Sequence, residues 1–309
     1  MKKFVEKLNK NKKHRIIAAL ITIILVISMI GITAYFKLTY KVKAQTRSAQ
    51  LISSSTPSPV PTPTPTPTPT PSPTPSPSPV ITIRTSTNLG FQIPVLTYHY
   101  IGNNPNPKDK ARDTLEVVPD KFEAQMNYLA ENGYTPISPE TLYAIFNKQT
   151  TVTKPIMLTF DDGYIDFYLN AFPILSKHHF HAVSFIPTGL IGTSYYMNWG
   201  QIKEIQSSGL VSFEDHSISH PNLTTMDYNE ILRQFKESRD TLQAQTGAAV
   251  NFVAYPYGAA NDSVIAAAQK AGFIGGFGTW SAKASGPGLN MPRIRITGQL
   301  SLPEFISRL

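Results

Sequence analysis

Residues Leu158–Tyr164 read LTFDDGY: two adjacent aspartates and a glycine close the apolar run PIMLTF at 155–160. Neighbouring carboxylates repel, and one turn residue is enough to end a strand, so the doubled charge asks for a further role. Gly163 permits a tight turn, and the alternation of side chains along a strand lets Asp161 and Asp162 point in different directions. One could bind a cation while the other faces a substrate. Taken alone, a DDG tripeptide is also an ordinary turn or helix N-cap.

Six further apolar stretches read as strands: IPVLTYHYI (93–101), AVSFI (182–186), LVSFEDH (210–216), NFVAY (251–255), FIGGF (273–277) and RIRIT (293–297). Amphipathic stretches separate them. Pro119-Asp120 opens a helix whose Phe122, Met126, Leu129 and Ala130 share a face. Others cover 139–147, 165–178, 198–208, 227–246, 262–271 and 302–309. Strand–helix alternation repeated through residues 91–309 predicts a parallel sheet or a (β/α) barrel, with chemistry at the C-terminal strand ends. LTFDDG, EDH and YHY all end there.

The chain has 309 residues, no cysteine and a net charge of +8. Disulfides, thiolate metal sites and cysteine nucleophiles are therefore excluded. Residues 1–89 hold twelve Lys/Arg against Glu6 alone, and residues 90–309 hold sixteen Lys/Arg against nineteen acids, so the parts carry +11 and −3. The basic character belongs to the N-terminal segment and gives no support for nucleic-acid binding by the folded part.

Residues 16–36 (IIAALITIILVISMIGITAYF) carry no charge and match a transmembrane helix; seven Lys/Arg precede them. The positive-inside bias puts residues 1–15 in the cytoplasm as a basic tail and the rest outside the cell, anchored in the membrane. The alternative is a cleaved signal peptide ending near Val42-Lys43-Ala44, although the run is long for one. Residues 37–90 form a Pro/Thr/Ser-rich linker. Its 57–79 stretch is polyproline-like and, at about 3.1 Å per residue, is a spacer of roughly 70 Å. The folded domain spans 91–309.

His216-Ser217-Ile218-Ser219-His220 places two imidazoles four residues apart, and on a helical turn both would reach one ion. Two His and one Asp leave an open coordination position, the pattern of a catalytic divalent-cation site. Ala254-Tyr255-Pro256-Tyr257-Gly258 is a rigid turn at a third strand end, able to aim a backbone N–H and present an aromatic wall.

TFDDG, then H-[ST]-x-x-H, then Y-P-Y-G, in this order, resemble the polysaccharide deacetylases, the NodB-like domains of carbohydrate esterase family four. IPVLTYHYI and FEAQMNYLAENGYTPIS are similar to the poly-N-acetylglucosamine deacetylase branch. The resemblance covers essentially all of 91–309 and implies a distorted (β/α)7 barrel. It also implies that Asp162, His216 and His220 hold a divalent metal, Zn²⁺ foremost with Co²⁺ or Ni²⁺ as alternatives. Asp161 matches the general base, and Tyr257 the position whose backbone N–H helps hold the oxyanion. The implied activity removes acetyl groups from GlcNAc units of a cell-surface or cell-wall polysaccharide, poly-N-acetylglucosamine or peptidoglycan.

Two family features are missing. The motif arginine two residues before Pro256 is Ala254 here, and Arg293 or Arg295 could pair with Asp161 instead. No histidine follows His220 to act as general acid, which leaves His99, a protonated Asp161 or water. These departures keep two other readings open, a catalytically weak carbohydrate-binding protein on the same scaffold and a polysaccharide O-acetyl esterase. Tyr98, Tyr100, Tyr164, Tyr195, Tyr196, Trp199, Tyr255 and Trp280 fall near predicted strand ends and could stack on sugars; with Tyr257, Trp280 is the expected pocket lining.

Overall fold

The computed structural model describes residues 92–106 and 108–309. The expected cytoplasmic tail, membrane anchor and linker lie outside the described residues. Among the described residues no helix is long and apolar enough to cross a membrane.

Among the described residues ten strands run in chain order: β1 Val95–Tyr98, β2 Tyr100–Ile101, β3 Glu116–Val117, β4 Thr135–Pro136, β5 Pro155–Asp161, β6 Ala182–Ile186, β7 Val211–Asp215, β8 Phe252–Ala254, β9 Gly275–Phe277 and β10 Ile294–Arg295. The main sheet has the order β10-β1-β5-β6-β7-β8-β9, all pairs parallel, and β4 adds to the start of β5. β2 and β3 form a separate parallel pair. Each expected apolar run contains one main-sheet strand, and the expected helices are present. β3, β4 and the single-turn helix Lys110–Asp113 are too short for any periodicity to announce.

Strands β1 and β5–β9 are buried on both faces, as a parallel sheet covered by helices requires. Alternation sorts their side chains into two clusters. Leu96 and Tyr98 of β1, Leu158 and Phe160 of β5, and Phe213 of β7 pack outward against helices such as Pro119–Glu131. Val95, Met157, Val183, Phe185, Phe252, Ala254 and Phe277 fill the concave side. The fold is thus a parallel-sheet α/β half-barrel with an apolar interior.

Strands β9 and β10 are not directly paired. The chain between them binds both neighbours: Met291 donates to the Gly276 carbonyl at 2.7 Å and accepts from Gly278 N–H at 2.8 Å, while Ile294 pairs with Leu96 of β1. The Tyr255 hydroxyl donates to the Leu289 carbonyl across the same seam. Gly276 has to lack a side chain, because a Cβ there would overlap the Leu289 backbone and the Tyr255 hydroxyl. Gly276→Ala should lower stability by roughly 1–3 kcal/mol, the usual cost of overpacking, as read from denaturant unfolding. An unchanged midpoint would mean that the seam is not tightly packed.

Candidate metal centre and active site

Period-two alternation aims residues from three strands at the concave mouth. On β5, Met157, Thr159 and Asp161 follow one face; on β1, Val95 and Thr97 lead to His99. On β7, Ser212 and Glu214 lead to His216. Strand alternation would turn Asp162 to the opposite, helix-packed side. It is instead brought round by a left-handed backbone, φ 72°, followed by Gly163 in the same conformation. This separates the two carboxylates of the DDG turn.

Asp162 Oδ1 lies 3.4 Å from His216 Nε2 and 3.3 Å from His220 Nε2. One ligand atom from each of the three residues lies within 4.8 Å of the others, which is the size of a cation site. His216 Nδ1 is 2.7 Å from the Ala254 carbonyl, so it must carry a proton and leave Nε2 free as a ligand. This donor set fits a divalent ion.

The expected helical turn between the histidines is absent. His216–His220 is an irregular loop in which Ser217 and His220 both have positive φ, 68° and 55°. Its backbone is held from beneath. Asp215 accepts from Ser217 N–H at 2.7 Å, and Gln234 accepts from Ile218 and Ser219 N–H at 3.0 and 3.3 Å. Ser238 donates to the Ser217 carbonyl at 2.8 Å. Gln234 and Ser238 are buried on helix Tyr228–Thr246. They escaped the sequence reading, although two polar residues four apart on a core-facing helix stripe were a usable signal.

Asp161 is paired with Arg293, which is 0% exposed. Nη1 donates to Oδ1 at 2.8 Å and Nη2 to Oδ2 at 2.7 Å. Nε donates to the Gly278 carbonyl at 2.8 Å, and Nη1 also reaches Thr159 Oγ1 at 3.1 Å. Arg293 therefore takes the partner role open at Ala254. Arg295 is exposed and makes no bond to Asp161 among the described residues.

Burial opposes charge throughout the site, and specific partners decide each outcome. For Asp161 burial is outweighed by the Arg293 charge, which holds the carboxyl below its usual range. For Asp162 burial is outweighed by the His216 hydrogen bond and the histidine charges, again holding it low. His216 is raised despite burial, by its bond to Asp162 and the two aspartate charges, whereas His220 is lowered by burial and by His216.

His99 is half-buried, with its Nδ1 buried and unpartnered among the described residues. Burial lowers it, although Asp161 and Asp162 pull the other way. Tyr257 is 65% exposed, has φ 60°, and sets its ring edge against His220 at 4.7 Å between centroids. Its N–H makes no hydrogen bond to the chain among the described residues. Trp280 is exposed nearby; Thr279 donates to the Tyr257 carbonyl. Tyr98 and Tyr255 are core and Trp199 packs against it, so these three are not sugar platforms.

A family model described as polysaccharide deacetylase matches residues 148–275. The Streptococcus pyogenes deacetylase PplD, solved in complex with acetate, is 34% identical with a TM-score of 0.66; the match covers 71% of this chain and 98% of that one. The poly-beta-1,6-N-acetyl-D-glucosamine N-deacetylase of Staphylococcus aureus is 28% identical over 193 residues, 57% of this chain and 66% of its own length. That of Escherichia coli is 27% identical over 251 residues, 66% of this chain but 37% of its own length. The chain thus spans about a third to two thirds of these two curated relatives. It belongs to the polysaccharide deacetylase family.

Two outcomes check this site. Arg293→Met should cost roughly 3–5 kcal/mol, because Asp161 is left buried without its partner. The loss should shrink as pH falls and the orphaned carboxyl takes a proton, as followed by unfolding at several pH values. Asp215 is the second case. Burial pushes its carboxyl up to about 7, with the Ser217 N–H pulling the other way. The folded state keeps this proton to higher pH than the unfolded chain, so stability should fall as pH rises from about 4 to about 7. Asp215→Asn should flatten that slope; an unaltered slope would remove Asp215 as its source.

Proposed function

We propose that the chain is a metal-dependent N-deacetylase acting on GlcNAc units of a cell-surface or cell-wall polysaccharide. The observation that carries this reading is the convergence of Asp162, His216 and His220 beside an Asp161 locked to Arg293. The similarity to proteins named poly-beta-1,6-N-acetyl-D-glucosamine N-deacetylases favours that polymer as substrate.

Asp162, His216 and His220 would hold the ion, Zn²⁺ foremost. When bound, it supplies an acidified water and polarises the acetamide carbonyl. The rest falls to the chain's own residues. Asp161, oriented by two Arg293 bonds, stays ionised and accepts the water proton. The Tyr257 N–H, aimed by the strained turn, donates to the oxyanion oxygen. His99, half-buried and lowered by burial, passes to the leaving amine the proton that Asp161 takes from the water. Arg293 removes one of the two reasons for reading the chain as a catalytically weak binding protein. We read the half-barrel as the distorted (β/α)7 barrel of the family. The apolar run 16–36 and the proline spacer hold the domain outside the cell and away from the membrane.

The test is acetate release from β-1,6-linked N-acetylglucosamine oligomers, chitooligosaccharide, peptidoglycan and O-acetylated xylan, with Zn²⁺, with Co²⁺ and with chelator. Metal-dependent release from the N-acetyl substrates is expected, and release from the O-acetyl substrate alone would favour the esterase. Asp162→Ala should lose both bound metal and activity. His99→Gln should lower kcat by about 10²-fold or more at unchanged metal content. Full activity in either variant would sink its assigned role.

A further inference from the structure

Beside the metal centre stands a column of rings from three separate segments. Tyr100, at the start of β2, stacks on Tyr164 with centroids 3.9 Å apart and planes 17° from parallel. Tyr164 packs on Tyr196 at 5.1 Å and 33°. The far face of Tyr100 is covered by the Arg112 guanidinium at 4.2 Å. At the other end Tyr196 is half-buried and has a face that takes no aromatic or cationic partner among the described residues.

The column is built to be rigid. Tyr164 and Tyr196 form an antiparallel backbone bridge, flanked by Ile165 N–H to the Tyr195 carbonyl at 2.9 Å and Met197 N–H to the Gly163 carbonyl at 3.0 Å. Arg112 is fastened by two bonds to Glu116, at 3.0 and 2.8 Å, and lies 3.5 Å from Asp166. Its side chain is 16% exposed, and Gly102 lies against all three charged groups. Arg112 is thus held by carboxylates in one place, with its guanidinium plane against the Tyr100 ring. Tyr164 follows Asp162 by two residues, and the Tyr196 segment is bonded to Gly163 of the same turn, so the column adjoins the metal centre through the backbone of the DDG turn.

We propose that this column is a saccharide subsite. The pyranose unit next to the one being attacked stacks on the open face of Tyr196, and Arg112 is a positioning residue that acts through Tyr100 and Tyr164. The inference rests on the deacetylase reading for the identity of the sugar. A prestacked ring loses little freedom on binding, so such a wall adds affinity at low entropic cost.

The test is calorimetric binding to the full chain, stripped of metal with chelator so that no turnover occurs. The probes are the β-1,6-linked N-acetylglucosamine tetrasaccharide and chitotetraose. Tyr196→Ala should weaken binding by between about threefold and about tenfold, the range expected for one aromatic contact, and Tyr196→Phe, which keeps the face, by less than about twofold. Arg112→Gln should weaken it like Tyr196→Ala without touching the sugar; a purely structural Arg112 would lower the melting temperature and leave the Kd of the folded protein alone. Unchanged affinity in Tyr196→Ala and Arg112→Gln, or no wild-type binding of either probe at millimolar concentration, overturns the subsite. A chain that binds with this dependence yet, when metal-loaded, releases no acetate sustains the subsite and sinks the deacetylase reading.

Discussion

The buried pair between Asp161 and Arg293 is the contact on which the rest of this site depends. A guanidinium with no exposed surface is tolerable only if nearly every N–H finds an acceptor. Two carboxylate oxygens, a carbonyl and a hydroxyl supply them. The pair ties β5, inside the sheet, to the segment that runs from β9 into β10. It keeps Asp161 ionised in an interior that would otherwise neutralise it.

Backbone strain is concentrated where the chemistry is. Asp162, Ser217, His220 and Tyr257 are all non-glycine residues with positive φ. Such conformations persist only where surroundings over-determine them. Here the surroundings are the Gly163 turn, the Gln234 and Ser238 bonds beneath the histidine loop, and the Pro256–Gly258 turn. The regular strands aim His99, Asp161 and His216, and the strained loops bring Asp162, His220 and Tyr257 to meet them.

Much of this was legible in the sequence because it is local. Apolar runs and amphipathic stretches reproduce the order of strands and helices to within a residue or two at most boundaries. TFDDG, HSISH and YPYG mark three strand ends, whereas alternation alone would have turned Asp162 away from the histidines that its left-handed backbone brings it to. The missing motif arginine narrowed to Arg293 or Arg295 by the same local reading.

Which of those two arginines enters the barrel was decided only in three dimensions, because it depends on how the closing segment meets β1 and β9. The histidine loop had to be seen to be known as irregular, since its shape comes from Gln234 and Ser238, 16 and 21 residues from their loop partners on another element. The tyrosine column belongs to the same class: Tyr100, Tyr164 and Tyr196 have no shared period, and only the folding of three segments against one another stacks them. What the sequence determined by itself is the set of elements and the chemical groups at their ends. What the tertiary structure decided is which of those groups share a low-dielectric space, because burial and pairing arise from contacts between residues far apart in the chain.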